Sequence, residues 1–472
     1  MNGHSIKIQK TLKYLGVVLD FHLSWEQHIK YICDRVGLIF HSFARVAKNN
    51  WGLNSEAMSV IYDTIFVPIV TYGCGTWGNA AVKSHPRRKL ISAQRTALLR
   101  IAKAYRTAPN SSLQVICKKP PIDQIIKLYS EVWNIKWGNN ITTSSTTIQA
   151  DMLECPINYS NSPYPNEPPN FIHNFHSPPS IDIYTDGSKI DNQVGCSFVV
   201  FQNGTEIFNQ RNRLHGSCSV FQSELLAIKT AIDWCSVNFH NTNIALHSDS
   251  NSAISLISHR NLHPIAYVIH EAVKNCSNSF SINWVHAHQG IIGNERADAL
   301  AKSAATDQTL PIIYNKLSLT AIKKLLWNDL LITWQNNWDN NQNITYQFFP
   351  DISAIFNYKW ITPNFKLTQF LTNHGRFHSY ISRFVDPYNS GLCTTCNTQD
   401  GSLHYILHCV MLDFERTQLQ LLISSRHGHW PQNNHEFLND LINNKDTYNQ
   451  FITLIDQYNI KTNVPTGTST LT

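Results

Sequence analysis

At 472 residues the chain is long enough for two to four domains with full cores, and 42% hydrophobic with 11% aromatic residues makes it globular. Its formal charge is only +6, but residues 1–137 carry 19 Lys+Arg against 7 Asp+Glu, a net +12, whereas residues 181–305 carry 8 against 10, a net −2. No run of 18 apolar residues and no charged-then-apolar leader occurs, and eleven mostly scattered cysteines do not make a secreted disulfide framework, so the expectation is a nuclear or cytoplasmic chain with no membrane partner.

Residues 11–20 predict a strand turning into a second one. A helix is expected over 25–48, with Ile29, Ile32, Val36, Ile39 and Phe40 at the spacing of one buried face. Another over 55–65 ends among Pro68, Tyr72, Gly73 and Trp77-Gly78, and a basic helix over 87–103 follows. Lys83, Arg87, Arg88, Lys89, Arg95, Arg100 and Lys103 fall in one 21-residue window. Such a face either contacts a phosphate backbone or is merely solvated, and composition weights the two about equally.

Lys13-Tyr14-Leu15-Gly16-Val17, Trp51-Gly52-Leu53, the segment from Pro68 to Gly78, Gln94-Arg95 and Ala104-Tyr105-Arg106-Thr107 form a series. Together they resemble the region after the catalytic palm in reverse transcriptases of non-LTR retrotransposons, the Jockey and R1-like elements of arthropods being the nearest match. The resemblance covers about residues 8–137 and implies fingers and a palm ahead of Tyr14. Those are absent, and no Tyr/Phe-x-Asp-Asp tetrad occurs in the chain. The expectation is a truncated element copy or partial gene that does not polymerise by itself.

Residues 138–180 hold no Lys or Arg and are rich in Asn, Ser, Thr and Pro, including Pro168-Pro169 and Pro178-Pro179. This composition predicts a linker without core-forming periodicity, extended locally by its prolines.

From Ile181 the pattern changes. An apolar-polar run leads to Asp186-Gly187-Ser188, and strand-like runs over 194–201 and 205–210 are joined by Gln202-Asn203-Gly204, a strong hairpin signal. A helical pattern follows with Glu224 in its first turns, and a strand over 244–247 ends at Ser248-Asp249-Ser250. Trp284-Val285-His286-Ala287-His288-Gln289-Gly290 then precedes a helix opening at Gly293 and bearing Asp298. If the strands ending at Asp186 and Asp249 are neighbours, their carboxylates lie side by side, within reach of Glu224 and Asp298 from flanking helices. Four carboxylates that close repel one another and call for cations. Partial sets of oxygen ligands suit Mg²⁺, two of which clamp the attacking and leaving oxygens of a phosphoryl displacement, while a mobile His288 could shuttle a proton. Taken singly, each of these acids reads equally well as a solvated strand-end cap.

The order Asp-Gly-Ser, Ser-Glu-Leu, Ser-Asp-Ser, then His-x-Gly-x-x-Gly-Asn-Glu-x-Ala-Asp, resembles the type 1 ribonuclease H family over residues 181–305. The resemblance implies an α/β fold with a five-stranded mixed sheet and flanking helices. It also implies cleavage of the RNA strand of an RNA–DNA hybrid with two Mg²⁺ ions, Mn²⁺ being an alternative. By residue, Asp186, Glu224, Asp249 and Asp298 match the metal-binding acids and His288 the catalytic histidine. The reading from a different class is a catalytically silent nucleic-acid-binding remnant.

Residues 306–472 predict a helical tail, with a tryptophan-bearing helix over 319–338. Within it stands Cys393-x₂-Cys396-x₇-His404-x₄-Cys409, three of eleven cysteines in 17 residues. Two thiolates two apart can share a metal from a tight knuckle, and a His and a third Cys complete a tetrahedral Zn²⁺ set. His408 is a competing ligand. The layout from Gly375 to Cys409 also resembles the tail of the same retrotransposon polyproteins.

Overall fold

A computed structural model describes residues 9–43, 53–158, 171, 178–259, 262–341, 343–427 and 434–462. Trp51-Gly52, Pro168-Pro169 and the end of the helix expected over 25–48 lie outside them. The chain divides into two compact units, residues 132–326, and residues 1–131 together with 327–472.

The first of these units is built on a mixed sheet. Its strands are β1 (Ile181–Ile190), β2 (Gln193–Gln202), β3 (Thr205–Leu214), β4 (Asn243–Ser248), β5 (Ser279–Trp284) and β6 (Ile312–Tyr314), with helices α1 (Val220–Asn238), α2 (Asn251–Ile257), α3 (Pro264–Lys274) and α4 (Ile292–Thr306). The spatial order is β6-β3-β2-β1-β4-β5. The first three strands form an antiparallel meander, and β4 and β5 add parallel to β1. These are the five expected strands; β6 is a short sixth, parallel to β3 at its end. Both hairpins turn on two left-handed residues: Asn203 (φ 49°) and Gly204 (φ 76°) as expected, and Asp191 (φ 44°) with Asn192 (φ 62°). The second turn carries β1 past Ser188, because two left-handed residues match the twist of the flanking strands.

Register puts α1 and α4 on opposite faces of the sheet. Gly187 pairs with Cys196 and Ser188 with Gly195, so Gly187 and Gly195 face opposite ways. A Cβ on Gly187 would meet Ser223 and Glu224 of α1, and one on Gly195 would meet Ala301, Ala304 and Ala305 of α4. The α1 face is the apolar core, with Ile183, Cys196, Phe198 and Val200 against Leu225, Ile228 and Ile232. On the α4 face, Ser197 Oγ donates to the Ala297 carbonyl at 2.6 Å and Gly293 packs on the Tyr184 ring.

The stretch expected to be a linker is partly ordered. Ile141–Thr142 pairs with Thr147–Ile148, and Ile141, Ile148 and Leu153 are buried. Leu153 bridges Leu317, while the Glu154 carboxylate accepts from the Tyr314 hydroxyl at 2.6 Å. The few apolar residues of this segment have no period of their own, and they are ordered by pairing with chain that lies beyond α4.

In the other unit the N-terminal and C-terminal segments share one core. Val115 and Ile116 pack in one cluster with Trp334, Trp338, Phe348, Phe370 and Phe451. Thr345 Oγ1 donates to the Leu371 carbonyl at 2.9 Å and bonds Ser112 Oγ at 2.8 Å; Thr368 Oγ1 donates to the Ala102 carbonyl at 2.7 Å. The basic helix, Ser84–Ala102, does not offer all its cations to solvent. Arg87 is paired with Asp123 at 2.7 Å, and Arg95 donates to the Ala108 carbonyl at 2.8 Å and bonds Asn110 and Arg106. Among the described residues no single helix is long and apolar enough to cross a membrane.

Candidate active site

Three of the predicted acids meet at one edge of the sheet. Asp186 stands on β1 beside the end of β4, because Thr185 pairs with Ser248 and Asp249 comes next. Glu224 is delivered by the first turns of α1, started by a capping box in which Ser219 and Gln222 bond reciprocally. Carboxylate oxygens of Asp186, Glu224 and Asp249 all lie within 4.8 Å of one another. Asp186 and Glu224 are only 6% and 7% exposed. Glu224 Oε2 has no hydrogen-bond partner.

That arrangement is costly for anions. Burial, then the charges of Asp249 and Asp298, push the Asp186 carboxyl up to about 7. Burial and the charges of Asp186 and Asp249 raise Glu224 well above its ordinary range. An orphaned, buried carboxylate oxygen beside two more carboxylates is what a hard cation's oxygen-ligand set requires. Asp298, on α4, stands outside the tight group and binds Lys302 Nζ at 2.7 Å, although its charge is felt at Asp186.

Gly187 explains why a glycine follows the first acid. A Cβ there would stand 2.5 Å from Glu224 N and from Ser223 Oγ, so the start of α1 can approach β1 only over a bare backbone. Gly187→Ala is expected to push α1 outward and displace Glu224. A misplacement of an ångström costs about 10²-fold in rate. Any hydrolysis carried out at this site should fall by that order, with a stability loss of about 1–3 kcal/mol for overpacking. Rate and melting temperature together check it; wild-type values for both would refute the packing argument.

Two further residues hold Asp249. Asn294 Nδ2 donates to its Oδ2 at 3.3 Å, and the Trp284 indole Nε1 donates to its carbonyl at 3.1 Å. Asn294 is buried, and its place in Gly293-Asn294-Glu295 was the only signal available in sequence. His288 is not brought into the acid cluster. It sits exposed in the left-handed region (φ 55°) on the loop between β5 and α4, whose Gly290 N–H donates to Glu295 Oε1 at 3.1 Å.

In the other unit Cys393, Cys396, His404 and Cys409 also converge within 4.8 Å. The Cys393 N–H donates to the Thr398 carbonyl at 2.8 Å, closing a knuckle that turns through left-handed Asn397 (φ 51°). Cys409 Sγ lies 3.9 Å from Cys393 Sγ and 3.6 Å from Cys396 Sγ. Zn–S bonds of about 2.3 Å at the tetrahedral angle place two sulfurs about 3.8 Å apart, whereas a disulfide needs about 2.05 Å. His404 Nε2 is buried without a partner, while its Nδ1 is 3.3 Å from Thr398 Oγ1. Burial alone would raise the Cys393 thiol, but the N–H groups of Cys396 and Thr395 outweigh it and hold it below its ordinary value. Burial pushes Cys409 up to about 12. The four residues fit a metal ion, and His408 is not one of them.

Residues 178–306 match the RNase H family. With the strand order β3-β2-β1-β4-β5 and three acids gathered at its edge, this part of the chain is a ribonuclease H domain. The chain is 29% identical over 136 residues to a 115 kDa protein in the type-1 retrotransposable element R1DM of Drosophila melanogaster, an alignment covering 29% of the chain and 13% of that protein. It is 26% identical over 149 residues to the retrovirus-related Pol polyprotein from type-1 retrotransposable element R1 4 of Nasonia vitripennis, covering 32% of the chain and 38% of the relative. Among solved structures, RNase H1 of Halobacterium salinarum NRC-1 is similar at 22% identity, over 26% of the chain and 96% of that protein, with a TM-score of 0.23. The chain thus carries a ribonuclease H domain of the kind found in non-LTR retrotransposon polyproteins, and it spans well under half the length of these two relatives.

Proposed function

We propose that the chain is an endoribonuclease that hydrolyses the RNA strand of RNA–DNA hybrids. The observation that carries this reading is the convergence of Asp186, Glu224 and Asp249 within 4.8 Å on a domain matching the RNase H family. Together with Asp298 they would hold two Mg²⁺ ions, Mn²⁺ serving in their place, which when bound supply an activated water and stabilise charge on the leaving oxygen. Asn294 keeps the Asp249 carboxylate aimed at the site. Lys302 tempers the charge of Asp298. In the second cluster Cys393, Cys396, His404 and Cys409 would hold a structural Zn²⁺. None of the eleven cysteines is in a disulfide, which suits a reducing compartment, the nucleus or cytoplasm.

His288 would carry a proton to the departing 3′ oxygen. An exposed imidazole on a loop suits that task, since one ring nitrogen can take up a proton while the other gives one up. The rate at saturating hybrid is expected to fall for His288→Ala toward the low end of the roughly 10²–10⁴-fold typical of such groups, because water can reach the same place. An unchanged rate would remove His288 from the mechanism.

The decisive experiment compares labelled RNA in a hybrid with the same RNA in an RNA duplex, with and without Mg²⁺. Cleavage confined to the hybrid and dependent on the metal is expected. No cleavage of either would leave the second reading, a catalytically silent nucleic-acid-binding remnant, which the basic helix and the Cys/His cluster favour.

A further inference from the structure

We propose that a surface patch on the unit formed by the N-terminal and C-terminal segments binds single-stranded nucleic acid, with unpaired bases on the rings of Phe384 and Tyr388 and phosphates on Arg383 and Arg106. The patch lies at the end of the helix His378–Phe384 and in the turn that follows it. Within five residues it leaves three large side chains uncovered: Phe384 is 46% exposed, Val385 69% and Tyr388 96%.

These rings are held in place and do not hang from loose chain. Phe384 is the outer member of an aromatic cluster, 4.9 Å from Tyr380 and 5.8 Å from His374 between ring centroids. Tyr380 in turn lies 5.4 Å from Tyr105, so the cluster joins the two segments of the unit. Thr107 Oγ1 fixes it from below, bonding His374 Nδ1 at 2.8 Å and the Tyr380 hydroxyl at 2.9 Å. Tyr388 is presented by a tight turn in which the Asp386 carboxylate accepts from the Tyr388 N–H at 3.0 Å and the Asp386 carbonyl from the Asn389 N–H at 3.1 Å. Rings positioned in advance lose little entropy when a base stacks on them.

The charge around the rings selects the ligand. The Arg383 guanidinium lies 5.0 Å from the centre of the Phe384 ring, and Arg106 stands exposed beside Thr107. Burial, then the charges of Arg383 and Arg95, hold the His374 imidazole below its ordinary value, so both guanidinium groups lie near one ring. Burial raises the Tyr105 hydroxyl, and neighbouring Arg376 opposes it. Among the described residues no carboxylate forms an ion pair with Arg106, Arg376 or Arg383. Exposed rings among unpaired cations match a polyanion that also offers flat faces, which a single strand does. A duplex presents its phosphates but hides the faces of its bases in the stack.

The test is binding by the full chain without added Mg²⁺, read as fluorescence anisotropy of labelled single-stranded DNA and RNA of about ten nucleotides and of the same DNA as a duplex. Tyr388→Leu and Phe384→Leu keep apolar bulk but lose the ring. Each should weaken single-strand binding roughly 5- to 150-fold, the range for one stacked base, with duplex binding and the salt dependence unchanged. Arg383→Gln should instead lower the slope of log affinity against log salt by about 0.7, the value for one phosphate of a single strand. Tighter binding of DNA or of RNA assigns the patch to that strand, and equal binding assigns it to both. Wild-type affinity in both leucine variants overturns the proposal. So does displacement of the oligonucleotide by polyglutamate of equal charge, which would make the patch a docking face for an acidic protein. Should Phe384→Leu not fold, Tyr388→Leu, on a turn and almost wholly exposed, decides alone. Binding is read rather than cleavage, so failure here and failure of the active-site reading are separate results.

Discussion

Asp186→Asn is expected to reduce hybrid cleavage to background, a loss on the order of 10⁴-fold or more, comparable to removing a member of an interdependent catalytic set. The amide has nearly the volume of the carboxylate but carries no charge, and it stands where three acids share one buried edge. Retained cleavage at ordinary Mg²⁺ would defeat the assignment. The same variant should be more stable than wild type when no Mg²⁺ is added, with a definite pH dependence. The Asp186 pKa rises on folding from 3.8 to about 7. Its contribution is therefore whole below pH 3.8 and is lost as pH rises to about 7, the unfolded chain ionising first. Above that pH the folded protein carries a penalty on the order of a few kcal/mol. The melting temperature of Asp186→Asn should then exceed that of wild type at pH 8 and approach it at pH 4. A gap of the same size at both pH values would mean that burial and the neighbouring acids do not raise the Asp186 pKa.

Removing the metal from the Cys/His cluster should have the second-largest effect, this time on stability. Purified chain is expected to contain one Zn²⁺, and Cys393→Ser/Cys396→Ser none. Structural zinc binds with roughly 10–16 kcal/mol of apparent free energy in small peptides, and because the site forms only on folding much of that is folding free energy. Here the knuckle is not a free-standing peptide. Cys393 and Cys409 belong to the same buried cluster as Tyr405, Ile406, Leu412, Phe377 and Tyr458. Loss of the ion should consequently loosen the helical core around it and not only the turn at Asn397. Metal analysis and thermal unfolding of the variant beside wild type check both parts. Equal zinc in the two proteins would rule the site out, and equal melting temperatures would rule out its coupling to the core.

Much of the active site could be read from residue order. Asp186 and Asp249 each close a short apolar run; Asp249 follows the end of β4 while Asp186 lies within β1, and parallel pairing of the two strands makes them neighbours. Ser219 and Gln222 mark the start of α1 and so put Glu224 in its first turns. Local chemistry of this kind is legible because a cap or a two-residue turn involves atoms close together in sequence. The Cys393 to Cys409 spacing belongs to the same class.

What only the tertiary structure decided depends on atoms far apart in the chain. Sequence marked residues 1–137 as a basic region and 306–472 as a helical tail, but not that the buried faces of Val115 and Ile116 close against Trp334 and Trp338. An apolar helix face states that it must be covered, but not by what. The same holds for cations: Arg95 counts as one of seven charges in its window, and its fork is spent on the backbone around Ala108. Asn294 became a holder of Asp249 only when α4 came to lie near the end of β4, and Gly187 acquired its reason only when Glu224 N came to occupy the space of its missing Cβ. The sequence by itself determined the candidate residues and their local conformation; long-range packing decided which of them meet, because proximity across the sheet is set by the burial of faces whose partners no local pattern names.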